Sequence, residues 1–284
     1  MKIVFLVKSS VLMRYYVNEV HKRFPVSLII EERRTALPRV RSLSERLKQG
    51  PNALGRAVLR RLTGSTGDDV ATVQRRTLQQ REVDEILGPG ARAFPAGVPV
   101  MVTEDINDAA VRDRLAAEVP EVVLVQGTSI VRDATLPAGV FNFNMHGGLS
   151  PYYRGGASAR WAIMNWDPYN IGVTLHRLTE QSDAGAILAQ CRVVPVATDT
   201  SHSISLKLTR EGTALALKVL AHFAAGNPIT YHPQDPAIGH TYFAKHWHPE
   251  MTAAIERIDR DGVLAEMLRR PSTRTRHPIV EWPE

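Results

Sequence analysis

Lys2-Ile3-Val4-Phe5-Leu6-Val7, then Lys8-Ser9-Ser10-Val11, then Val26-Ser27-Leu28-Ile29-Ile30, is the stretch that sets the architecture of this chain. The two apolar runs are short enough for buried strands. Between them Leu12, Tyr16, Val20 and Phe24 recur at helical spacing, and Ser9 or Ser10 supplies a cap. A strand, a helix and a second strand in this order predict a parallel pair, because the crossover brings the chain back to the same end of the sheet. The first turn carries no Gly-x-Gly-x-x-Gly, which argues against a nicotinamide or flavin enzyme.

Outward from that unit the same alternation continues. Nine basic residues (Arg33, Arg34, Arg39, Arg41, Arg46, Lys48, Arg56, Arg60 and Arg61) fall before Gly64 with only Glu45 against them. They read as a basic insertion over about 33–69, either a solvated segment or a surface that steers phosphate. Helical spacing resumes over 70–87. Val98 to Val102 reads as a third strand, weakened by Pro99, which removes a ladder donor. A helix capped by Asn107 follows, running to Glu118, then an all-apolar strand over Val122 to Val125 and a fifth over Val140 to Phe143. Ala157 to Asn165 is a helix, 172–178 and 187–194 are strands, and Ser203 to Ala225 is a long helix with Gly212 at its middle. Gly226-Asn227-Pro228 is a stop, and the tail beyond it holds one helix over 249–269.

Composition bounds the class. With 284 residues, 44% hydrophobic and 23% charged, the chain suits one α/β domain with a modest appendage. The one cysteine, Cys191, excludes an internal disulfide framework and fits a packed thiol on a strand. No apolar run approaches the roughly 18–20 residues of a membrane span, and the first strand is too short for a signal peptide, so a cytoplasmic location is expected. A net charge of +6 and a pI near 9.6 suit an anionic substrate or nucleic acid.

The candidate chemistry lies where the fifth strand runs out: Asn144-Met145-His146-Gly147-Gly148-Leu149-Ser150-Pro151-Tyr152-Tyr153-Arg154-Gly155. Further on, Thr179-Glu180-Gln181-Ser182-Asp183-Ala184-Gly185 puts a carboxylate at the mouth of another loop. An amide to stabilise an oxyanion, an imidazole to move a proton and a carboxylate to orient it are the parts needed for acyl transfer to an amine. Taken singly each has a plainer reading: His146 as a structural hydrogen bonder, Asn144 as a turn residue, Asp183 as an Asx-turn before Gly185. His240, His246 and His248 have no cysteine partner and lie among Thr241, Tyr242, Phe243 and Trp247, so they read as packing, and no metal site is expected.

These residues carry a resemblance. The stretch from about Val122 to Val193 resembles the catalytic core of the formyltransferases that use 10-formyltetrahydrofolate. Asn144-Met145-His146, Leu149-Ser150-Pro151-Tyr152-Tyr153-Arg154-Gly155, Gly172-Val173-Thr174 and Asp183-Ala184-Gly185 follow that family's order. Its loop commonly reads His-x-Ser-Leu-Leu-Pro, where this chain has His146-Gly147-Gly148-Leu149-Ser150-Pro151. The fold expected is α/β, a Rossmann-like, mostly parallel sheet with helices on both faces. A catalytic domain over 1–227 would be followed by a small C-terminal extension, 228–284.

The resemblance implies 10-formyltetrahydrofolate as co-substrate, and Asn144, His146 and Asp183 as catalytic residues. Gly127, Thr128, Ser129, Ile130, Thr179 and Ser182 would contact the folate. Arg154 and Tyr152 are candidates for the acceptor, Arg154 either touching acidic groups or bracing the loop. The tail is too short for the β-barrel of methionyl-tRNA formyltransferases, so a small anionic amine is expected, first an amino sugar nucleotide, with hydroxyornithine-like amines and glycinamide ribonucleotide also open. A homodimer is compatible with the reading; membrane and nucleic acid are not its expected partners. The rival readings are a formyltetrahydrofolate deformylase and a basic nucleic-acid-binding protein.

Overall fold

The computed structural model describes residues 1–34, 70–235, 237–270 and 276–283. The chain divides into two compact units, Met1–Arg33 with Glu82–Glu284, and Arg34–Arg81. Of the second, the described residues are Arg34 and the helical stretch from Val70. The basic insertion expected over 33–69 lies outside the described residues apart from Arg33 and Arg34.

The opening unit forms β1 (Ile3–Lys8), α1 (Val11–Arg23) and β2 (Val26–Glu32), with β1 and β2 parallel. Ser10 is the cap, its hydroxyl accepting the Met13 N–H, and α1 buries Met13, Tyr16, Val17 and Val20. Helix α2 (Val70–Ile86) then leads to β3 (Val100–Thr103). The strand starts two residues later than expected because Pro99 has no N–H to give. Its carbonyl still serves the ladder, accepting from Ile29 N at 2.9 Å.

Helix α3 (Ala109–Glu118) begins after Asp108, so Asn107 does not cap it. The Asn107 amide spans to the next loop instead, donating to the Ile130 carbonyl and accepting from Arg132 N and the Thr135 hydroxyl. A residue that reads as a local cap is thus a long-range tie, a distinction that spacing cannot make.

β4 (Val122–Gln126) and β5 (Phe141–His146) complete the parallel part of a seven-stranded sheet ordered β3-β2-β1-β4-β5-β7-β8. The last two strands, β7 (Gly172–His176) and β8 (Ile187–Arg192), are antiparallel. β5 extends three residues past its expected end, so Asn144 and His146 lie on the strand rather than in the loop after it. The extension pairs Asn144 with His176 and His146 with Thr174.

Helices cover both faces of the sheet. Ile3, Phe5 and Val7 pack with α1 and with α5 (Ser201–Ala224), while Val4, Leu6, Leu28 and Ile30 pack with Val111 and Leu115 of α3. Each such side chain, fully withdrawn from water, contributes about 1.5–3 kcal/mol. α5 carries a capping box between Thr200 and Ser203. Gly212 at its middle is a close-approach position: a Cβ there would meet Met145 Sδ at 2.6 Å and Val173 Cγ1 at 3.0 Å.

The tail from Pro228 lies along this unit. β9 (His240–Tyr242) pairs in parallel with β6 (Tyr153–Gly155), next to the short helix α4 (Ser158–Met164). The single tail helix expected over 249–269 is two, α6 (Pro249–Arg260) and α7 (Val263–Arg269). They are broken at Gly262, whose φ of 64° no helix accepts. Ile255, Leu264 and Met267 join the main core.

Gly212 yields a stability prediction. Gly212→Val places two methyl groups where Met145 and Val173 already sit, and urea unfolding should show a loss of about 1–3 kcal/mol. An unchanged midpoint would mean that α5 is not held against the sheet by that contact.

Candidate active site

Strand alternation builds the site. In β5, Phe141, Phe143 and Met145 belong to the core shared with α5, so Asn142, Asn144 and His146 point to the other face. In β7, Val173 and Leu175 face that core and Gly172, Thr174 and His176 oppose it. Antiparallel pairing then sets the two polar rows side by side.

Asp183 is the centre of the set. Its Oδ1 lies 3.1 Å from Asn144 Nδ2 and 3.2 Å from His176 Nε2. Its Oδ2 accepts the Gly155 N–H at 2.9 Å, lies 3.4 Å from His146 Nδ1 and takes the Ser182 hydroxyl at 3.3 Å. The far nitrogen of His146, Nε2, faces the Tyr153 carbonyl at 2.8 Å, and that of His176, Nδ1, faces the Arg177 carbonyl at 2.9 Å. Burial alone would push the carboxyl up, but the charge of His146, the hydrogen bond and charge of His176 and the Gly155 N–H together outweigh it. They hold Asp183 well below the usual carboxylate range.

Around this set a cavity of about 590 Å³ opens at the carboxyl ends of β1, β4 and β5. Gly127, Thr128, Ser129, Ile130, Thr179 and Ser182 all line it, as do Asn144, His146 and Asp183. Ser129 is also tied down from beneath, its N–H and hydroxyl both donating to Glu32 at the end of β2. Among the lining residues the cations are Lys8 and Arg160, and the one carboxylate is Asp183. Gln126 lines the cavity with a buried side-chain oxygen that accepts no hydrogen bond from a described residue.

Tyr152 and Arg154 are placed differently. Tyr152 stacks on His277 with ring centroids 3.9 Å apart. Arg154 is buried and donates to the Ile238 carbonyl at 3.4 Å. Neither lines the cavity.

The sequence reading missed His176, which is 2% exposed and in direct contact with the carboxylate. A signal for it exists: Gly172-Val173-Thr174-Leu175-His176 alternates as strictly as β5 does. The partner strand and register were what it lacked.

A depressed Asp183 pKa has a fixed sign in stability. The ionised form is favoured by folding, so its contribution is full above the unfolded pKa and is lost as pH falls through the folded one. Unfolding midpoints taken in urea should therefore fall as the pH drops below about 4, the ordinary carboxylate range. Asp183→Asn should flatten that fall. An equally steep acid limb in the variant would show that the carboxylate gains nothing from its histidines.

Comparison with known proteins agrees with the architecture. A family model described as formyl transferase matches residues 62–220, more than half of the chain. Among solved structures, glycinamide ribonucleotide transformylase 1 from Symbiobacterium toebii superposes with a TM-score of 0.52 at 19% identity, over 83% of this chain and 94% of that one. The N-formyltransferase of Helicobacter canadensis, solved with folinic acid and dTDP-3-aminofucose, gives 0.52 at 15% identity over 87% and 73%. A sugar N-formyltransferase from a Shewanella species gives 0.50 at 16% over 86% and 77%. At these identities the superpositions speak for the fold, and the model match for the family. The α/β sheet, the motif order and that match together make this chain a member of the formyl transferase family, an enzyme that transfers formyl groups.

Proposed function

We propose that the chain moves the formyl group of 10-formyltetrahydrofolate to the primary amine of a small anionic acceptor, first among them an amino sugar nucleotide. The observation that carries this reading is Asn144 hydrogen-bonded to Asp183, with His146 Nδ1 3.4 Å from the same carboxylate, all three lining a cavity that Lys8 and Arg160 also line. A bound anion meets Lys8 and Arg160 there, and among the described lining residues the one acid, Asp183, is already engaged by Asn144, His176 and the Gly155 N–H. The Helicobacter relative, solved with a folate and an amino sugar nucleotide, supports the same pair of ligands.

In this reaction the amine nitrogen attacks the formyl carbon and the carbonyl electron pair moves onto oxygen. The intermediate collapses with loss of the donor nitrogen, which leaves carrying a proton that the amine gave up. His146 moves that proton. Asn144 donates an amide N–H to the oxyanion, a contact whose removal typically costs about 10²–10³ in rate. Asp183 orients the His146 ring. Gly127, Thr128, Ser129 and Ile130 form one wall for the folate, with Thr179 and Ser182 opposite. The Gln126 oxygen suits its N–H donors. Tyr152 and Arg154 serve the acceptor side by bracing the loop. The catalytic unit is 1–227 with the extension 228–284, and a cytoplasmic setting belongs to this reading. Among the described residues no helix is long and apolar enough to cross a membrane.

The test is absorbance-monitored conversion of 10-formyltetrahydrofolate to tetrahydrofolate against a panel of amino sugar nucleotides and glycinamide ribonucleotide. Amine-dependent turnover that falls by about 10²-fold or more in His146→Ala supports the reading. Formate release that needs no amine would make the chain a hydrolase. The absence of both turnover and folate binding would sink the proposal.

A further inference from the structure

The Asp183 carboxylate is aimed by a backbone turn, and part of that turn is held from the tail. Asp183 has a φ of 51°, in the left-handed region that a residue with a side chain seldom keeps unaided. Two residues on, Gly185 runs so close to the preceding strand that a Cβ would meet the Arg177 carbonyl oxygen at 1.8 Å. Both carbonyls of this turn face the tail. Gln234 Nε2 donates to the Asp183 carbonyl at 3.0 Å and to the Gly185 carbonyl at 2.6 Å. The Ser150 hydroxyl adds one more donor to the Asp183 carbonyl at 3.2 Å.

Gln234 is placed for this task. Residues 231–233 and 235 around it are exposed, while Gln234 is half-buried and its side-chain oxygen is fully withdrawn from water. The segment is anchored just before it: Ile187 and His232 exchange both backbone hydrogen bonds at 2.8 Å. Just after it the chain is anchored again, where His240 N donates to the Tyr152 carbonyl at 3.0 Å. The amide is therefore delivered between two fixed points. Residue 234 lies beyond the span 62–220 matched by the family model.

We propose that Gln234 is a positioning residue of the active site, fixing the Asp183–Gly185 turn and so the direction in which the Asp183 carboxylate meets His146 and His176. The inference rests on the formyl-transfer reading for its kinetic consequence, and on geometry alone for its effect on the two imidazoles. Misdirecting a catalytic group by about an ångström costs up to roughly 10²-fold in rate without loosening substrate.

The experiment compares the wild-type chain with Gln234→Met, which keeps the length of the side chain and removes both donors. Gln234→Glu, which turns an acceptor toward the two carbonyls, is the second variant. Side-chain ¹⁵N spectra of the histidines, recorded without substrate, should show His146 and His176 shifted in both variants, with thermal unfolding still cooperative. In turnover assays kcat should fall about 10–100-fold with KM for the folate nearly unchanged. Histidine spectra identical to wild type in both variants would overturn the proposal, as would an unchanged kcat in an active enzyme. If the wild-type chain turns over no formyl donor, the functional reading fails, and the spectra still decide the positioning role.

Discussion

One carboxylate, withdrawn from water beside a cavity, organises this molecule. A charge mostly withdrawn from water is tolerated only when partners surround it, and Asp183, its side chain 14% exposed, draws those partners from four places in the chain. Asn144 and His146 come from β5, His176 from β7, the Gly155 N–H from β6, and the Ser182 hydroxyl from its own loop. Ser182 and His176 are close to Asp183 in sequence, while Asn144, His146 and Gly155 lie 28 or more residues before it. Their convergence depends on one pairing, Asn144 opposite His176. A slip of β7 by one residue would turn Thr174 and His176 into the apolar core and set Val173 and Leu175 beside Asn144 and His146, taking one imidazole from the carboxylate.

That pairing depends in turn on what lies behind it. Met145 and Val173 occupy the opposite face of the same two strands, and α5 presses on them through Gly212. The apolar half of the alternation locks the register, and the polar half inherits it. The switch from parallel to antiparallel strands occurs at this point, between β5 and β7. It sets a second row of polar side chains against the first.

The tail belongs to the same constraint. β9 adds to β6, whose Gly155 N–H serves the carboxylate, and Tyr242 of β9 stacks on Trp161 with centroids 4.6 Å apart. Trp161 in turn meets Trp247 edge-on. His240 and His246 pack into this aromatic group, His240 against Tyr242 and His246 against Phe243. Arg154, buried under the tail, and Tyr152, stacked on His277, hold the loop between β5 and β6 from the outside. These contacts tie a sequence-distant segment to the backbone around the Asp183 carboxylate.

The sequence by itself determined the α/β class, the parallel core from β1 to β5, the long α5 and the family motifs. Each of these is written as a local pattern: apolar runs of strand length, helical spacing, or a short ordered string such as Asn144-Met145-His146. Tertiary structure alone decided what depends on a partner remote in the chain. Asn107 became a tie across loops rather than a cap, because its amide found Ile130, Arg132 and Thr135. β5 ran on through His146 because β7 was there to pair with it. His176 entered the site for the same reason, and the directions of Tyr152, Arg154 and Gln234 were set by tail residues or by the loops they touch. Local periodicity encodes which face a side chain takes. It does not encode the strand, loop or tail that will stand opposite, and a buried charge needs all three.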